Sequence, residues 1–227
     1  DYVTKNGFPG ALLGLSGGSD SALTLAIAAD ALGPQRVKAV MMPSQFTAQM
    51  SLDDSAEMVR RTGVQYDVIP IRPVLDAFLT QMQSQFAGKK PDLTEENLQS
   101  RIRGTMLMAL SNQTGAMVLT TGNKSEMAVG YATIYGDMAG GFAVIKDVAK
   151  TMVWDLCRWR NTQSAVIPEN IITRAPTAEL REDQTDQDSL PEYPVLDAIV
   201  EAYIESNRSP KDMIAAGMDP AAVTQVV

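Results

Sequence analysis

Short apolar runs alternate with longer helical patterns along the first half of the chain. The runs that predict β-strands are residues 11–15, 37–42, 66–71 and 116–121. The segments that predict helices are residues 21–29, 51–63 and 74–86, and a longer helix that begins at 94–96. Such an alternation produces a parallel sheet with helices on both faces. The pattern therefore predicts an α/β fold with a doubly wound, mainly parallel sheet.

Polar residues and glycines mark where some of these helices begin and end. Ser51 followed by Asp54 resembles a capping box, and Gly63 is expected to end the same helix. In the longer helix, apolar residues recur at every fourth position from Leu98 to Leu110. That spacing predicts one buried helix face.

The stretch from residue 179 to residue 193 is polar, acidic and short of apolar residues. A connection of this length is usually either a lid over a binding site or a disordered loop. The sequence leaves both alternatives open, including whether the segment is ordered without a ligand.

The composition excludes several kinds of site. The chain contains no histidine, which excludes Ser-His-Asp and Cys-His catalysis and every histidine-containing zinc site. Any metal ion would have oxygen ligands, and this favours Mg²⁺. The formal net charge of −8 argues against a nucleic-acid surface. No apolar run reaches the roughly 18 residues of a membrane span.

The single cysteine, Cys157, lies in an apolar helical pattern that predicts a buried small side chain rather than a nucleophile. One cysteine cannot form an internal disulfide, and no secretory signal is visible, so we expect a cytoplasmic protein. The chain begins at Asp1 without an initiator Met. We therefore expect a fragment of a longer protein, with residues 1–227 forming a single domain.

The clearest chemical signal is the sequence SGGSDS at residues 16–21, between the first predicted strand and the first predicted helix. Adjacent glycines let a backbone approach an anion closely, and the helix N-terminus contributes a partial positive charge. Asp20 would repel a phosphate directly, but it suits a Mg²⁺ ion that bridges phosphates. Without a ligand, Asp20 is expected to face solvent. The alternative is a simple glycine-serine turn with Asp20 as a cap.

This segment is neither a Walker A loop, which needs a lysine after its glycines, nor a G-x-G-x-x-G dinucleotide fingerprint. It closely resembles the pyrophosphate loop of the N-type ATP pyrophosphatases, which activate a carboxylate or carbonyl as an adenylate. The resemblance implies an ATP site that includes Gly14, Ser16, Gly17, Gly18, Ser19, Asp20 and Ser21.

The motifs after this loop are similar in order and wording to NAD synthetase, in particular to the synthetase domain of its long, glutamine-dependent form. They are ENLQSRIR at 96–103, TTGNKSE at 120–126, GYATIYGD at 130–137, KDVAKT at 146–151, APTAEL at 175–180 and DQTDQDSLP at 183–191. The resemblance covers nearly the whole chain. It implies the adenine nucleotide alpha-hydrolase-like form of a Rossmann-like fold.

The same resemblance assigns residues to ATP and its metal ion. Asp20 and Glu126 would hold Mg²⁺, and Thr121 and Thr177 would contact ATP. Glu126 would follow the fourth strand and so lie at the same sheet edge as Asp20. On the sequence alone, Glu126 is equally well explained as an acidic residue in the first turn of a helix.

Lys150 lies in the first turn of a helix that Asp147 is expected to cap. A lysine at a helix N-terminus is electrostatically unfavourable, so a bound anion explains it better than a solvated surface does. By resemblance, Lys150 would reach the ATP phosphates. Asp20 and Lys150 are therefore the expected catalytic residues.

The residues that the resemblance assigns to the second substrate, deamido-NAD, are Asn97, Arg101, Glu126, Tyr131 and Asp137. Asn97 and Arg101 are four residues apart and share a helix face. Partly buried packing is the alternative role for Tyr131 and the expected role for Tyr135. Arg103 is expected to be an ordinary surface charge.

The implied reaction is the amidation of deamido-NAD to NAD through an acyl-adenylate, with release of AMP and pyrophosphate. Mg²⁺ and Lys150 would neutralise charge at the phosphates, and a lid at residues 182–188 would exclude water. Because no glutaminase cysteine is visible, ammonia is the expected nitrogen donor for this chain. The family also implies a homodimer, and the full-length protein would carry a glutaminase domain and a C-terminal tail.

Three alternatives use the same loop differently. One is another pyrophosphate-loop ligase such as a GMP synthetase, and another is a tRNA-modifying thiolase, which the acidic charge and the lack of paired cysteines disfavour. The third is a non-catalytic adenine-nucleotide sensor, which would have little use for both Asp20 and Glu126.

Overall fold

A computed structural model describes residues 1–227 and contains one five-stranded sheet in which all neighbouring strands are parallel. The strands are β1 (Ala11–Gly14), β2 (Val37–Met41), β3 (Gln65–Val68), β4 (Met117–Thr120) and β5 (Phe142–Ala143). Their order is β3-β2-β1-β4-β5. The predicted α/β fold is confirmed. Only β5 is absent from the sequence prediction, because two residues carry no measurable periodicity.

Twelve α-helices surround the sheet or follow it. They are α1 (Tyr2–Lys5), α2 (Ser19–Leu32), α3 (Gln49–Thr62), α4 (Arg72–Gln81), α5 (Gln83–Phe86), α6 (Leu93–Thr114), α7 (Lys124–Ala128), α8 (Lys150–Gln163), α9 (Glu169–Thr173), α10 (Tyr193–Val200), α11 (Pro210–Ala215) and α12 (Pro220–Val226). A π-helical turn, Glu201–Glu205, extends α10. None of these helices combines the length and the apolar character needed to cross a bilayer.

Both faces of the sheet are buried, as a doubly wound fold requires. In β1, the side chain of Leu13 belongs to the larger apolar core, and that of its neighbour Leu12 belongs to a second core. The larger core includes residues of α2 and α8, whereas the second includes residues of α4 and α6. Alternate residues of one strand therefore bind helices on opposite faces.

The strand order places a crevice between β1 and β4. The chain proceeds from β1 to β2 and β3 on one side, and then returns to β4 and β5 on the other. The loops that leave the carboxyl ends of β1 and β4 therefore diverge, and ligands bind in such a crevice in open α/β sheets.

Two local predictions in this part of the chain are wrong. Helix α3 begins at Gln49 after Ala48, so Ser51 lies inside the helix and forms no capping box. Its hydroxyl donates instead to Glu179 at 2.5 Å. The helix predicted over residues 74–86 is divided into α4 and α5 at Met82.

Candidate active site

A cavity of about 260 Å³ opens at the carboxyl ends of β1 and β4. Its walls come from the loop after β1, the loop after β4, the start of α8 and residues 174–180. The predicted ATP-site residues that line it are Gly14, Ser16, Gly18, Ser19, Asp20, Ser21, Thr121, Lys150 and Thr177. The structure thus brings together segments that are far apart in the sequence.

The loop before α2 is held in a fixed shape by its own serines. The Ser21 hydroxyl donates to the Gly18 carbonyl oxygen at 3.0 Å and accepts from the backbone N–H of Ser16 at 3.2 Å. Gly17 has a left-handed φ of 85°, and a Cβ at this position would lie 2.7 Å from the Ser51 carbonyl oxygen. Gly17 therefore faces α3 rather than the cavity, and its role is to let the loop pass close to that helix.

Lys150 is the central charge of the cavity. It is 3% exposed, and its Nζ contacts Oδ2 of Asp20 and lies 3.7 Å from Oε1 of Glu126. Burial alone would lower the pKa of Lys150, but the charges of Asp20 and Glu126 outweigh it and raise that pKa. Lys150 therefore remains a cation.

Asp20 does not face solvent freely, contrary to the sequence expectation. One of its carboxylate oxygens contacts Lys150, and the other accepts a hydrogen bond from Nδ2 of Asn123 at 2.8 Å. The sequence places these partners about a hundred residues or more from Asp20, so local pattern could not identify them. The residue is a member of a partly buried polar network at the start of α2.

Glu126 is an acidic first-turn residue of a helix, and it also lies at the cavity. It occupies the first turn of α7, where its carboxylate accepts from the backbone N–H of Asn123 at 3.4 Å in a capping box, and it also lines the cavity. Desolvation and the nearby charge of Asp20 together raise the pKa of Glu126 to about 8, although Lys150 opposes the shift. A cation that binds both carboxylates would relieve this unfavourable burial of charge.

Asp147 does not cap α8, so that prediction is wrong. Helix α8 begins directly after Ala149 and has no cap from its own segment. The backbone N–H of Lys150 donates to Oγ of Ser125 at 2.9 Å, and that of Thr151 donates to Oδ2 of Asp197 at 2.9 Å. The helix end is satisfied by side chains from distant elements.

Two arginines that the sequence reasoning missed also line the cavity. Arg103 is not a surface charge, because its Nε donates to the carbonyl oxygen of Met42 at 3.0 Å and burial lowers the pKa of Arg103 to about 10. Arg174 donates to Oγ of Ser51 at 3.0 Å and to the carbonyl oxygen of Gly17 at 2.8 Å. Arg174 directly precedes the APTAEL motif, and this position in the sequence is the feature that could have identified it as a residue of the site.

The residues predicted to bind deamido-NAD fall into two groups. Tyr131 and Asp137 line the cavity together with Glu126. Asn97 and Arg101 do not line it, and both contact the loop after α7 instead. Oδ1 of Asn97 accepts from the Thr133 hydroxyl at 2.8 Å, and Nε of Arg101 donates to the carbonyl oxygen of Ile134 at 3.3 Å.

Tyr135 is not a packing residue, contrary to expectation. Its side chain is 80% exposed, and its backbone has a left-handed φ of 64°. The loop turns sharply here because it passes very close to α6. A Cβ at Gly104 would lie 2.7 Å from the carbonyl oxygen of Gly136 and 2.9 Å from that of Tyr135.

The acidic stretch at 179–193 lies against the cavity. Glu179, Leu180 and Asp186 line it. Asp186 is buried and accepts hydrogen bonds from the hydroxyls of Tyr193 at 2.7 Å and Tyr131 at 3.3 Å. These contacts attach the segment to the wall of the cavity.

The carboxylates of the cavity fit Mg²⁺ as part of a nucleotide complex. Asp20 and Glu126 converge on one cationic atom, Nζ of Lys150. No cluster of three or more His, Cys, Asp or Glu side chains could hold a metal ion by itself. Mg²⁺ is commonly held by one or two carboxylates together with substrate phosphates, and this donor set is of that kind.

Known proteins are similar to this chain over its whole length. The chain is 57% identical to the glutamine-dependent NAD(+) synthetase of Acinetobacter baylyi and 54% identical to that of Thermotoga maritima, over its whole length. It spans 42% and 40% of those two proteins, about two fifths of their length.

Solved structures of two synthetases are also similar to this chain. The glutamine-dependent NAD+ synthetase of Acinetobacter baumannii, solved in complex with ADP, has a TM-score of 0.76 at 53% identity, covering 100% of this chain and 41% of that one. The NMN synthetase of Francisella tularensis has a TM-score of 0.83 at 26% identity, covering 98% and 84%. A sequence model of the NAD synthase family matches residues 1–227. The chain therefore belongs to the NAD synthase family.

Proposed function

We propose that this chain forms NAD by the ATP-dependent amidation of deamido-NAD. The observation that carries the proposal is that Lys150, Asp20 and Glu126 converge beside the SGGSDS loop in a chain whose full length matches the NAD synthase family. Lys150, together with a Mg²⁺ ion that the two acids would hold, would suit a polyphosphate bound at the helix N-terminus.

In the first step, the nicotinate carboxylate of deamido-NAD attacks the α-phosphorus of ATP. The bond from that phosphorus to the bridging oxygen breaks, pyrophosphate leaves and an acyl-adenylate forms. Lys150 and the loop N–H groups would stabilise the negative charge that develops on the phosphates. Asp20 and Glu126 would hold Mg²⁺, which neutralises phosphate charge when bound.

In the second step, ammonia attacks the activated carbonyl carbon. The carbon–oxygen bond to AMP breaks, AMP leaves and a proton is released to form the amide. The segment at residues 182–188 would act as the lid, because exclusion of water protects the adenylate from hydrolysis. Thr121 and Thr177, which line the cavity, would contact ATP.

The deamido-NAD site is proposed to extend from the cavity towards α6. Tyr131 and Asp137 line the cavity near Glu126, and Asn97 and Arg101 lie on the same side at the 133–134 loop. In this proposal the dinucleotide contacts both groups, with its nicotinate at the cavity.

The full-length protein is proposed to carry a glutaminase domain that supplies ammonia, since the relatives named glutamine-dependent are more than twice as long as this chain.

A homodimer is the proposed assembly. Sedimentation of the chain at several concentrations would test it, and a monomer at all of them would contradict it.

The experiment is to incubate the purified chain with ATP, MgCl₂, ammonium and deamido-NAD, and to measure NAD, AMP and pyrophosphate. We expect the three products in equal amounts.

A matched reaction with nicotinic acid mononucleotide tests the second candidate, amidation of the mononucleotide, which the fold of the Francisella NMN synthetase favours. Faster turnover of the mononucleotide would replace our proposal with that one, and no pyrophosphate with either would favour a nucleotide sensor.

A further inference from the structure

The start of helix α8 depends on side chains from two other elements. The first N–H groups of a helix have no partner within the helix, and here the preceding residue Ala149 supplies no cap. Lys150 N–H donates to Oγ of Ser125, which belongs to α7. Thr151 donates to Oδ2 of Asp197 twice, from its N–H at 2.9 Å and from its hydroxyl at 2.7 Å.

Asp197 belongs to α10, yet its carboxylate joins α7 to α8. Its other oxygen, Oδ1, accepts a hydrogen bond from the Ser125 hydroxyl. Asp197 is 9% exposed, Ser125 is 1% exposed, and neither lines the cavity. A carboxylate removed from water at such a site requires partners that offset its lost hydration, and all three of its donors come from these two helix ends.

The residues that Asp197 holds are the immediate neighbours of Glu126, a proposed Mg²⁺ ligand, and of Lys150, the proposed catalytic lysine. Ser125 precedes Glu126 at the start of α7, and Thr151 follows Lys150 at the start of α8. The side chains of Glu126 and Lys150 then approach each other at 3.7 Å in the cavity. A shift of either helix start would change that distance directly.

We infer that Asp197 is a positioning residue, whose carboxylate fixes the start of α8 against the start of α7 and so holds Lys150 and Glu126 in register for the reaction. This inference rests on the proposed function. The position of a negative charge at the N-terminus of α8 is favourable in itself. A backbone bond from Lys124 N–H to the Val148 carbonyl oxygen joins the same segments, but it lies before the first turn of α8.

The test compares the variants Asp197→Asn and Asp197→Ala with the intact chain. Asparagine keeps one acceptor oxygen, whereas alanine keeps none. We expect kcat for NAD formation to fall about tenfold to a hundredfold in Asp197→Ala and less in Asp197→Asn. Losses of this size are typical when a residue orients a catalytic group without contacting the substrate itself. The Kd of ATP, measured by calorimetry, should change by less than about threefold.

Ser125→Ala and the double variant Ser125→Ala/Asp197→Asn test the proposed link itself. Because both residues act through one connection, the loss in the double variant should be close to the larger single loss rather than to the product of the two. Ser125→Ala and Asp197→Asn also carry the test if Asp197→Ala does not fold.

The matched control is Asp219→Asn. Asp219 caps α12 through the N–H of Ala222 at 2.8 Å and does not line the cavity, so this variant should keep kcat while losing some stability. An unchanged kcat in folded Asp197 variants, or an equal loss in Asp219→Asn, would overturn the inference and leave the proposed function intact. Failure of the intact chain to form NAD would overturn the proposed function itself.

Discussion

At the scale of single residues, Asp20 is a charge with partners in the fold and a proposed role in the site. Its contacts with Lys150 and Asn123 mean that Asp20→Asn removes one partner of a nearly buried ion pair. We expect NAD formation to fall by at least about a hundredfold. We also expect the free energy of unfolding to fall by up to about 3 kcal/mol, since Glu126 still lies 3.7 Å from Nζ of Lys150.

Asp30→Asn is the matched control for Asp20→Asn. Asp30 also belongs to α2 and pairs with Arg160 at 2.6 Å, but half of its side chain is exposed and it lies outside the cavity. Its loss should cost little stability and no activity. Turnover and thermal unfolding of both variants are the measurements. Near-normal turnover by Asp20→Asn would show that Asp20 is not a catalytic residue.

Arg101 tests the proposed placement of the dinucleotide. Arg101 is a proposed contact of deamido-NAD, so Arg101→Ala should weaken the binding of deamido-NAD. Because Arg101 lies outside the cavity, the variant should leave the binding of ATP nearly unchanged. A charge-assisted hydrogen bond to a phosphate contributes roughly 1.5–3 kcal/mol, so we expect KM for deamido-NAD to rise about tenfold to a hundredfold. Calorimetry with each substrate measures the two effects separately. An unchanged affinity for deamido-NAD would show that Arg101 only binds the 133–134 loop.

At the scale of elements, a helix or strand is predictable from the sequence when the residues that determine it are close together in the chain. Strands β1, β2 and β4 are predictable because each is an apolar run buried on both faces. The start of α8 is not, because Asp147 is close in sequence but Asp197, 46 residues beyond Thr151, makes the contact. The surface position predicted for Arg103 is wrong for the same reason, because its acceptor, Met42, lies 61 residues away.

The contact between α6 and the loop after α7 provides a prediction at this scale. Alanine normally stabilises a helix relative to glycine by roughly 0.5–1 kcal/mol. At Gly104 the added methyl would lie 2.7 Å from a carbonyl oxygen, so Gly104→Ala should instead destabilise by about 1–3 kcal/mol. Because the displaced loop carries Tyr131 and Asp137, KM for deamido-NAD should rise.

Thr105→Ala is the control for this prediction. Thr105 is the next residue of α6 and its side chain is exposed, so alanine there should be neutral or slightly stabilising. Denaturant unfolding of the two variants gives the sign. A Gly104→Ala variant that is as stable as the Thr105→Ala variant would mean that the loop yields without cost.

At the scale of the whole molecule, the environment of the only cysteine leads to a prediction about the nitrogen donor. Cys157 is fully buried in the larger core, and burial raises the pKa of Cys157 to about 12. A glutaminase nucleophile must be an accessible thiolate, and Cys157 is neither accessible nor ionised near neutral pH. We therefore expect ammonium, but not glutamine, to support NAD formation by this chain.

The thiol and the donor can be measured on the same sample. The folded chain should resist alkylation at about pH 8, and the unfolded chain, whose thiol regains an ordinary pKa, should react readily. Cys157→Ala should retain ammonium-dependent turnover, with a modest loss of stability from the deleted core atom. Glutamine-driven turnover by the intact chain that Cys157→Ala abolishes would contradict the prediction, because it would require this buried thiol to be the nucleophile.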